Sequence, residues 1–243
     1  MNKMIKGQKG LSLVEVTIML LVLMLLTSVL APSIMDFVHD AQWVKVKEDC
    51  EAIGISFSRL TRDVGSCVKM VGSGSCTKDN RADVLVSFGS TPTSEPGDYT
   101  NANIKDGSVN WNTATNTSLM DDQFVTNKAG YLTPYDKNSL QFLAEYPVGP
   151  QFNLGWRGAY LAPQIGPDPW GNRYYVNSVF SSVTTDGNGA YQGNPGNWWE
   201  NDVFCLSAGP NSIIQTPIAK NAPNYGTDRA ADDFVFVIQG SSR

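Results

Sequence analysis

The side chains of this sequence whose type and spacing could do chemistry are four cysteines, one histidine, the adjacent aspartates Asp232 and Asp233 and one misplaced glutamate. Cys50, Cys67, Cys76 and Cys205 contain no C-x-x-C pair and His39 stands alone, so a zinc site would have to gather all four thiols from distant places. Two disulfides in an oxidising compartment account for them better. Four cysteines allow three pairings. The glycine-rich "CVKMVGSGSC" between Cys67 and Cys76 is short and closes easily, which leaves Cys50 for Cys205. That second bridge would close a loop long enough to add roughly 4–5 kcal/mol in the chain-entropy model. His39 lies beside Asp40, just past an apolar run, and is expected as an interfacial polar residue. The sequence has no P-loop pattern, no H-E-x-x-H and no second histidine to serve a nucleophile, so no enzyme is expected.

The glutamate is Glu15, five residues into "LSLVEVTIMLLVLMLLTSVLA" (Leu11–Ala31). That run is apolar apart from Ser12, Glu15, Thr17, Thr27 and Ser28, and about 20 residues span a bilayer as a helix. Lys3, Lys6 and Lys9 precede it and hold that end in the cytoplasm. The run is longer than the apolar core of an ordinary secretory signal, and Pro32 would follow the best small-residue cleavage site. A retained helix is therefore expected, with the remainder of the chain outside the cytoplasm. A lone carboxylate in such a helix costs roughly 2.5–3.5 kcal/mol on insertion scales. Either it stays wet near the interface, or it meets a positive partner.

"KGQKG" followed by "LSLVEVTIMLLVLMLL" resembles the class III signal of type IV pilins and type II secretion pseudopilins. The resemblance implies cleavage between Gly10 and Leu11 by a prepilin peptidase, with N-methylation of the new amine at Leu11. Glu15 would then be the fifth residue after the cut. In this family the glutamate there meets the N-terminal amine of a neighbouring subunit, so the acid is compensated on assembly. Leucine at position 11 departs from the commoner phenylalanine.

Beyond the span, Ile34, Phe37, Ala41, Val44, Val46, Cys50, Ile53, Phe57, Leu60 and Val64 recur at steps of three or four, with one slip near Val46. This is an amphipathic stripe. Asp40, Lys45, Lys47, Glu48, Asp49, Glu51 and Arg59 mark the polar face, and Gly65-Ser66 supplies a stop. A helix over 11–64 would be roughly 80 Å long. Pro32 marks a point where it can bend or melt. After the cysteine loop, "VLVSF" (Val84–Phe88) predicts a strand, and the polar, turn-rich residues 89–118 predict surface elaboration. The whole of 71–160 exceeds what typical pseudopilins carry.

"GPDPWGNRYYV" resembles the "DPWGNPY" segment of the major pseudopilin. Physically, Asp168-Pro169 opens a turn, Gly171-Asn172 closes it, and Trp170, Tyr174 and Tyr175 are strand-type core residues. "DVFCLSAGPNSIIQT" and "GTDRAADDFVF" resemble the family's C-terminal block, so the likeness covers roughly 1–65 and 166–240. By that likeness the last loop would hold calcium through Asn211, Asp232 and Asp233 and the carbonyls of Leu206 and Gly209, with Asp228 nearby. The competing expectation is that the two aspartates cap a surface turn. "DGNG" at Asp186–Gly189 predicts a hairpin turn.

The net charge of −5 argues against general nucleic-acid binding. The expected architecture is α+β: a leader over 1–10, a transmembrane and spine helix over 11–66, and a globular domain over 67–243. That domain is expected as a small antiparallel sheet with a loop-rich insertion, packed on the amphipathic half of the helix. The resemblance implies a single-pass inner-membrane precursor whose globular part lies in the periplasm. Its partners would be prepilin peptidase, the inner-membrane assembly platform, minor pilins or pseudopilins, and further copies in a helical filament. The alternative is a minor, tip-located subunit with an adhesive or substrate-binding surface in 71–160.

Overall fold

The computed structural model describes residues 12–65, 68–73, 79–95, 97–100, 105–131, 155–162, 165–181, 184–185, 191–192, 201–219 and 232–239. The chain divides into two compact units, Met1–Val44 and Lys45–Arg243. Helix α1 (Leu13–Val64) belongs to both. In the first unit the helix is the only described element, and its apolar stretch is long enough to cross a membrane with none of it buried inside the protein. The helix continues through Pro32 without a break, since proline removes one backbone bond from a long, strongly propagating apolar run. Ile34, Phe37 and Val44 remain 58%, 74% and 56% exposed. The predicted stripe therefore buries nothing until Val46, because the described part of the first unit offers no second surface to pack on.

In the second unit the stripe is realised. Val46, Cys50, Ile53, Phe57, Leu60 and Val64 are all buried. The helix ends at Val64, and Gly65 follows with φ +92°, the left-handed conformation that a glycine accepts after a helix. Two acids of the helix are drawn inward. Asp49, expected on the polar face, accepts a hydrogen bond from the Tyr174 hydroxyl at 2.9 Å, and Asp63 accepts one from Tyr160 at 3.1 Å.

The strands are β1 (Val84–Val86), β2 (Thr93–Ser94), β3 (Tyr99–Thr100), β4 (Ser108–Val109), β5 (Thr117–Leu119), β6 (Tyr175–Val176), β7 (Thr184–Thr185), β8 (Tyr191–Gln192), β9 (Val203–Ser207), β10 (Ile213–Ile214) and β11 (Phe234–Gln239). A short helix, α2 (Met120–Phe124), follows β5. The principal sheet has five strands in the order β11-β9-β6-β1-β5. It is mixed and not wholly antiparallel, because β5 runs parallel to β1. The chain between them is long enough for the crossover that a parallel pair needs. Strand β9 is buried along its whole length, as a central strand must be when it reads "VFCLS".

The turn-rich stretch 89–118 is not mere surface. Trp111 and Val109 are 2% and 1% exposed. The Trp111 ring meets Tyr175 and Phe204 edge-on at 5.7 and 5.6 Å, and its Nε1–H donates to the Thr216 carbonyl at 2.8 Å. One large ring with a satisfied N–H anchors an otherwise polar segment to the core.

Gly54 lets α1 approach β11. A Cβ there would lie 2.8 Å from Phe236 Cε1 and 3.2 Å from Ile238 Cγ1. Gly54→Leu is expected to cost about 1–3 kcal/mol by overpacking. Glu51→Leu, at an exposed position of the same helix, should stay within about 0.5 kcal/mol of wild type. Chemical denaturation of the detergent-solubilised chain measures both, and equal losses would contradict the packing of α1 on β11.

Candidate functional site

In the first unit, Ser12 is the N-cap of α1. Its carbonyl accepts the first helical bond from Val16 N at 3.2 Å. Its hydroxyl accepts from Val14 N at 3.4 Å, and its own N–H donates to Glu15 Oε2 at 2.9 Å. This is a capping box, the S-x-x-E pattern of Ser12-Leu13-Val14-Glu15. Sequence reasoning weighed only the cost of Glu15 and missed that signal. The other described polar side chains of the span are satisfied by their own helix. Thr17, Thr27 and Ser28 donate to the carbonyls of Val14, Leu23 and Leu25 at 2.9, 2.7 and 2.8 Å. That leaves Glu15 as the single charge there, with one oxygen given to the cap and the other open. Gly10 and Leu11 lie outside the described residues. His39, predicted as an interfacial residue, is exposed on the same helix and accepts from Trp43 Nε1 at 3.2 Å.

In the second unit, the two turns that flank the sheet's C-terminal strands are locked together. Asp168 Oδ1 accepts from Trp170 N at 3.0 Å and from Asn172 N at 2.8 Å. Asp168 Oδ2 accepts from the Ser207 hydroxyl at 2.7 Å. The Asn172 amide donates to the Gly209 carbonyl at 3.0 Å. "DPWGN" and "SAGPN" are thereby one hydrogen-bonded unit, although 39 residues separate Asp168 from Ser207. Burial pushes the Asp168 carboxyl up from its ordinary 3.8, against these hydrogen bonds, which pull it down.

The C-terminal loop gathers some of the expected calcium ligands. Gly209, at φ +65°, sits so close to Asp232 that a Cβ would overlap the Asp232 carbonyl oxygen. Asp233 Oδ2 accepts from Gln215 N at 2.9 Å and from Thr216 N at 2.6 Å. Asp233 Oδ1 is buried with no hydrogen-bond partner, and burial raises this carboxyl above 3.8. The carboxylates of Asp232 and Asp233 fit the chemistry of a hard cation. The remaining expected ligand oxygens also serve the protein. Asn211 Oδ1 accepts from Ile213 N at 2.7 Å, the Gly209 carbonyl accepts from Asn172, and Leu206 lies in the ladder between β6 and β11. Among the described residues no group of three or more acidic, histidine or cysteine side chains assembles. Calcium takes six to eight oxygens, and the two aspartate side chains alone do not supply them. Asp228 and the "DGNG" turn lie outside the described residues.

The thiols of Cys50 on α1 and Cys205 on β9 are brought into contact, Sγ to Sγ 3.2 Å, from positions 155 residues apart. Cys67 and Cys76 lie outside the described residues. Beside the Cys50 position, Lys45, Asp49, Ile53, Leu161, Ile165 and Tyr174 line a cavity of about 350 Å³. Lys45 Nζ bonds Asp49 there at 2.5 Å, which satisfies its polar side from within the chain.

Asp168→Asn replaces an acceptor-only group by one that turns an N–H₂ toward a donor, leaving at least one buried donor unmet. The expected loss is about 1–3 kcal/mol. A urea titration checks it, and an unchanged midpoint would contradict the lock. Comparisons of the chain with family models, with curated proteins and with solved structures find no match, so the reading of its function stands on this geometry and on the sequence.

Proposed function

We propose that this chain is a structural subunit of a helical filament of the type IV class, a type II secretion pseudopilus or a type IV pilus. It would be made as a single-pass inner-membrane precursor with its globular part in the periplasm. It would be cut after Gly10 by a prepilin peptidase, methylated at Leu11 and assembled with further copies and with minor subunits by an inner-membrane platform. The observation that carries the reading is Glu15, the one charge in the described apolar run 12–31 of an unburied helix whose continuation from Val46 packs on a mixed sheet. Isolated insertion gives this carboxylate the Ser12 amide and no countercharge. Assembly gives it a cationic partner, the amine of a neighbouring copy.

The capping box supports a division of labour within the carboxylate. Oε2 serves the Ser12 amide, and Oε1 is open toward a partner. An ion pair in lipid need not add much net stability, since desolvation opposes the attraction, but it fixes axial register between copies. Glutamine satisfies a capping box and carries no charge, so it separates the two roles.

Calcium enters this reading as a ligand of the Asp232–Asp233 turn. When bound it would supply positive charge to two acids that otherwise face each other's field, and the unpartnered Asp233 Oδ1 is the oxygen that supports it. Chelation is expected to lower the thermal midpoint of the wild type and to leave Asp233→Ala unmoved. A wild-type midpoint indifferent to both chelator and added calcium would mean that hydrogen bonds alone hold the turn.

The assembly test compares sheared-filament yield at matched membrane levels. Glu15→Gln and Glu15→Leu should both insert, lose the leader and fold the outer domain, and both should lose at least about tenfold in filament yield, because breaking a buried pair strands a charge. Wild-type yield from Glu15→Gln would show that the charge has no role in assembly.

A further inference from the structure

The Cys50–Cys205 pair lies inside the second unit. Both residues are 0% exposed. Cys50 stands on the buried stripe of α1, between Val46 and Ile53. Cys205 is the middle residue of β9, paired with Phe236 of β11 on one side and Val176 of β6 on the other. The two sulfurs touch across the helix–sheet interface at 3.2 Å, with one thiol donating to the other. Two cysteines converging from opposite layers of a core, with nothing between them, are placed for a covalent bond as well as for packing.

We propose that Cys50 and Cys205 are an oxidation site that is loaded before the fold closes: a disulfide forms between α1 and β9 while the chain is open, and the closed core then preserves whichever redox state it was given. The chemistry is thiol–disulfide exchange. One cysteine thiolate attacks a sulfur of an external disulfide, carried by an oxidoreductase or a small thiol carrier, and expels one carrier thiolate. The second cysteine thiolate attacks the protein-side sulfur of this mixed disulfide and expels the other. The two protein thiols lose two electrons and two protons, and the carrier disulfide becomes two thiols. Each step needs a thiolate and a line of approach to sulfur.

The closed fold denies both requirements. No solvent path reaches either side chain, and burial together with the neighbouring Cys205 holds the Cys50 thiol well above its ordinary range. Exchange with an outside carrier therefore belongs to the unfolded or partly folded chain. The consequence is commitment at folding. A chain that folds among disulfide carriers keeps the bond when later exposed to reductant, and one that folds without them keeps two inert thiols. The filament reading enters only through the compartment, since it places this unit on the oxidising side of the membrane.

The test uses the full chain in detergent, reduced throughout at the start. One sample is left folded and one is unfolded in denaturant and diluted to refold. Both are exposed to oxidised glutathione at about pH 8, quenched in acid, alkylated in denaturant and mapped by peptide mass. The refolding sample should yield the Cys50–Cys205 linkage. The folded sample should acquire it at least about tenfold more slowly. Equal rates would overturn the commitment, and refolding to any other pairing of Cys50 or Cys205 would overturn the site. Cys67→Ala with Cys76→Ala isolates the pair: in that background the thermal midpoint must depend on how the chain was refolded, and adding Cys50→Ala with Cys205→Ala must remove the dependence. A separate arm precipitates cells in acid and alkylates the denatured protein, so that buried thiols are labelled. Free Cys50 and Cys205 in that protein, beside a positive refolding result, would count against the export reading and leave the oxidation site standing.

Discussion

Three donors converge on the carboxylate of Asp168, two from its own turn and one from Ser207 at the end of β9. The C-terminal half of the fold hangs on that convergence. A buried carboxylate must be met by donors or it destabilises the protein, so the turn before β6 and the end of β9 cannot move apart without stranding it. With the two strands pinned, the ladder pairs Tyr175 with Leu206 and Val176 with Cys205. The same register carries Tyr174 toward the helix, where its hydroxyl meets Asp49. Gly209, held by Asn172, then brings the chain close against Asp232 and so sets the entry to β11.

The helix is governed by a similar requirement in two solvents. In the second unit its buried stripe faces the sheet, and its two inward acids are met by Tyr174 and Tyr160. In the first unit its apolar window is unburied, and the hydroxyls of Thr17, Thr27 and Ser28 turn back on the helix backbone. Glu15 is the exception that local bonding satisfies only in part.

Much of this was legible before the fold was seen. The stripe from Val46 to Val64, its stop at Gly65 and the turn around Asp168 follow from spacing and turn chemistry alone, because those signals are local. What escaped was non-local or masked by composition. Asp49 and Asp63 sit at positions that a helical wheel assigns to solvent, and only tyrosines 125 and 97 residues away draw them inward. Trp111 lies among glycine, asparagine and threonine, so a polar window average hid one of the core's largest rings. The parallel pairing of β5 on β1 needed a partner choice that no three-residue strand encodes. The capping box of Ser12 and Glu15 was local and legible, but attention to the membrane cost of the acid obscured its bond to the backbone. In the C-terminal loop, residue types do not show that the oxygens of Asn211 and Gly209 also accept from protein donors.

The central claim is that this chain is processed as a filament subunit, and the mass of its membrane-embedded form tests that most directly. Intact-mass and N-terminal peptide analysis of the protein, expressed with a prepilin peptidase and extracted from membranes, should show a chain that begins at Leu11 and carries one added methyl on its amine. A chain that retains Met1–Gly10 under those conditions, or one that begins at Pro32, would contradict the account.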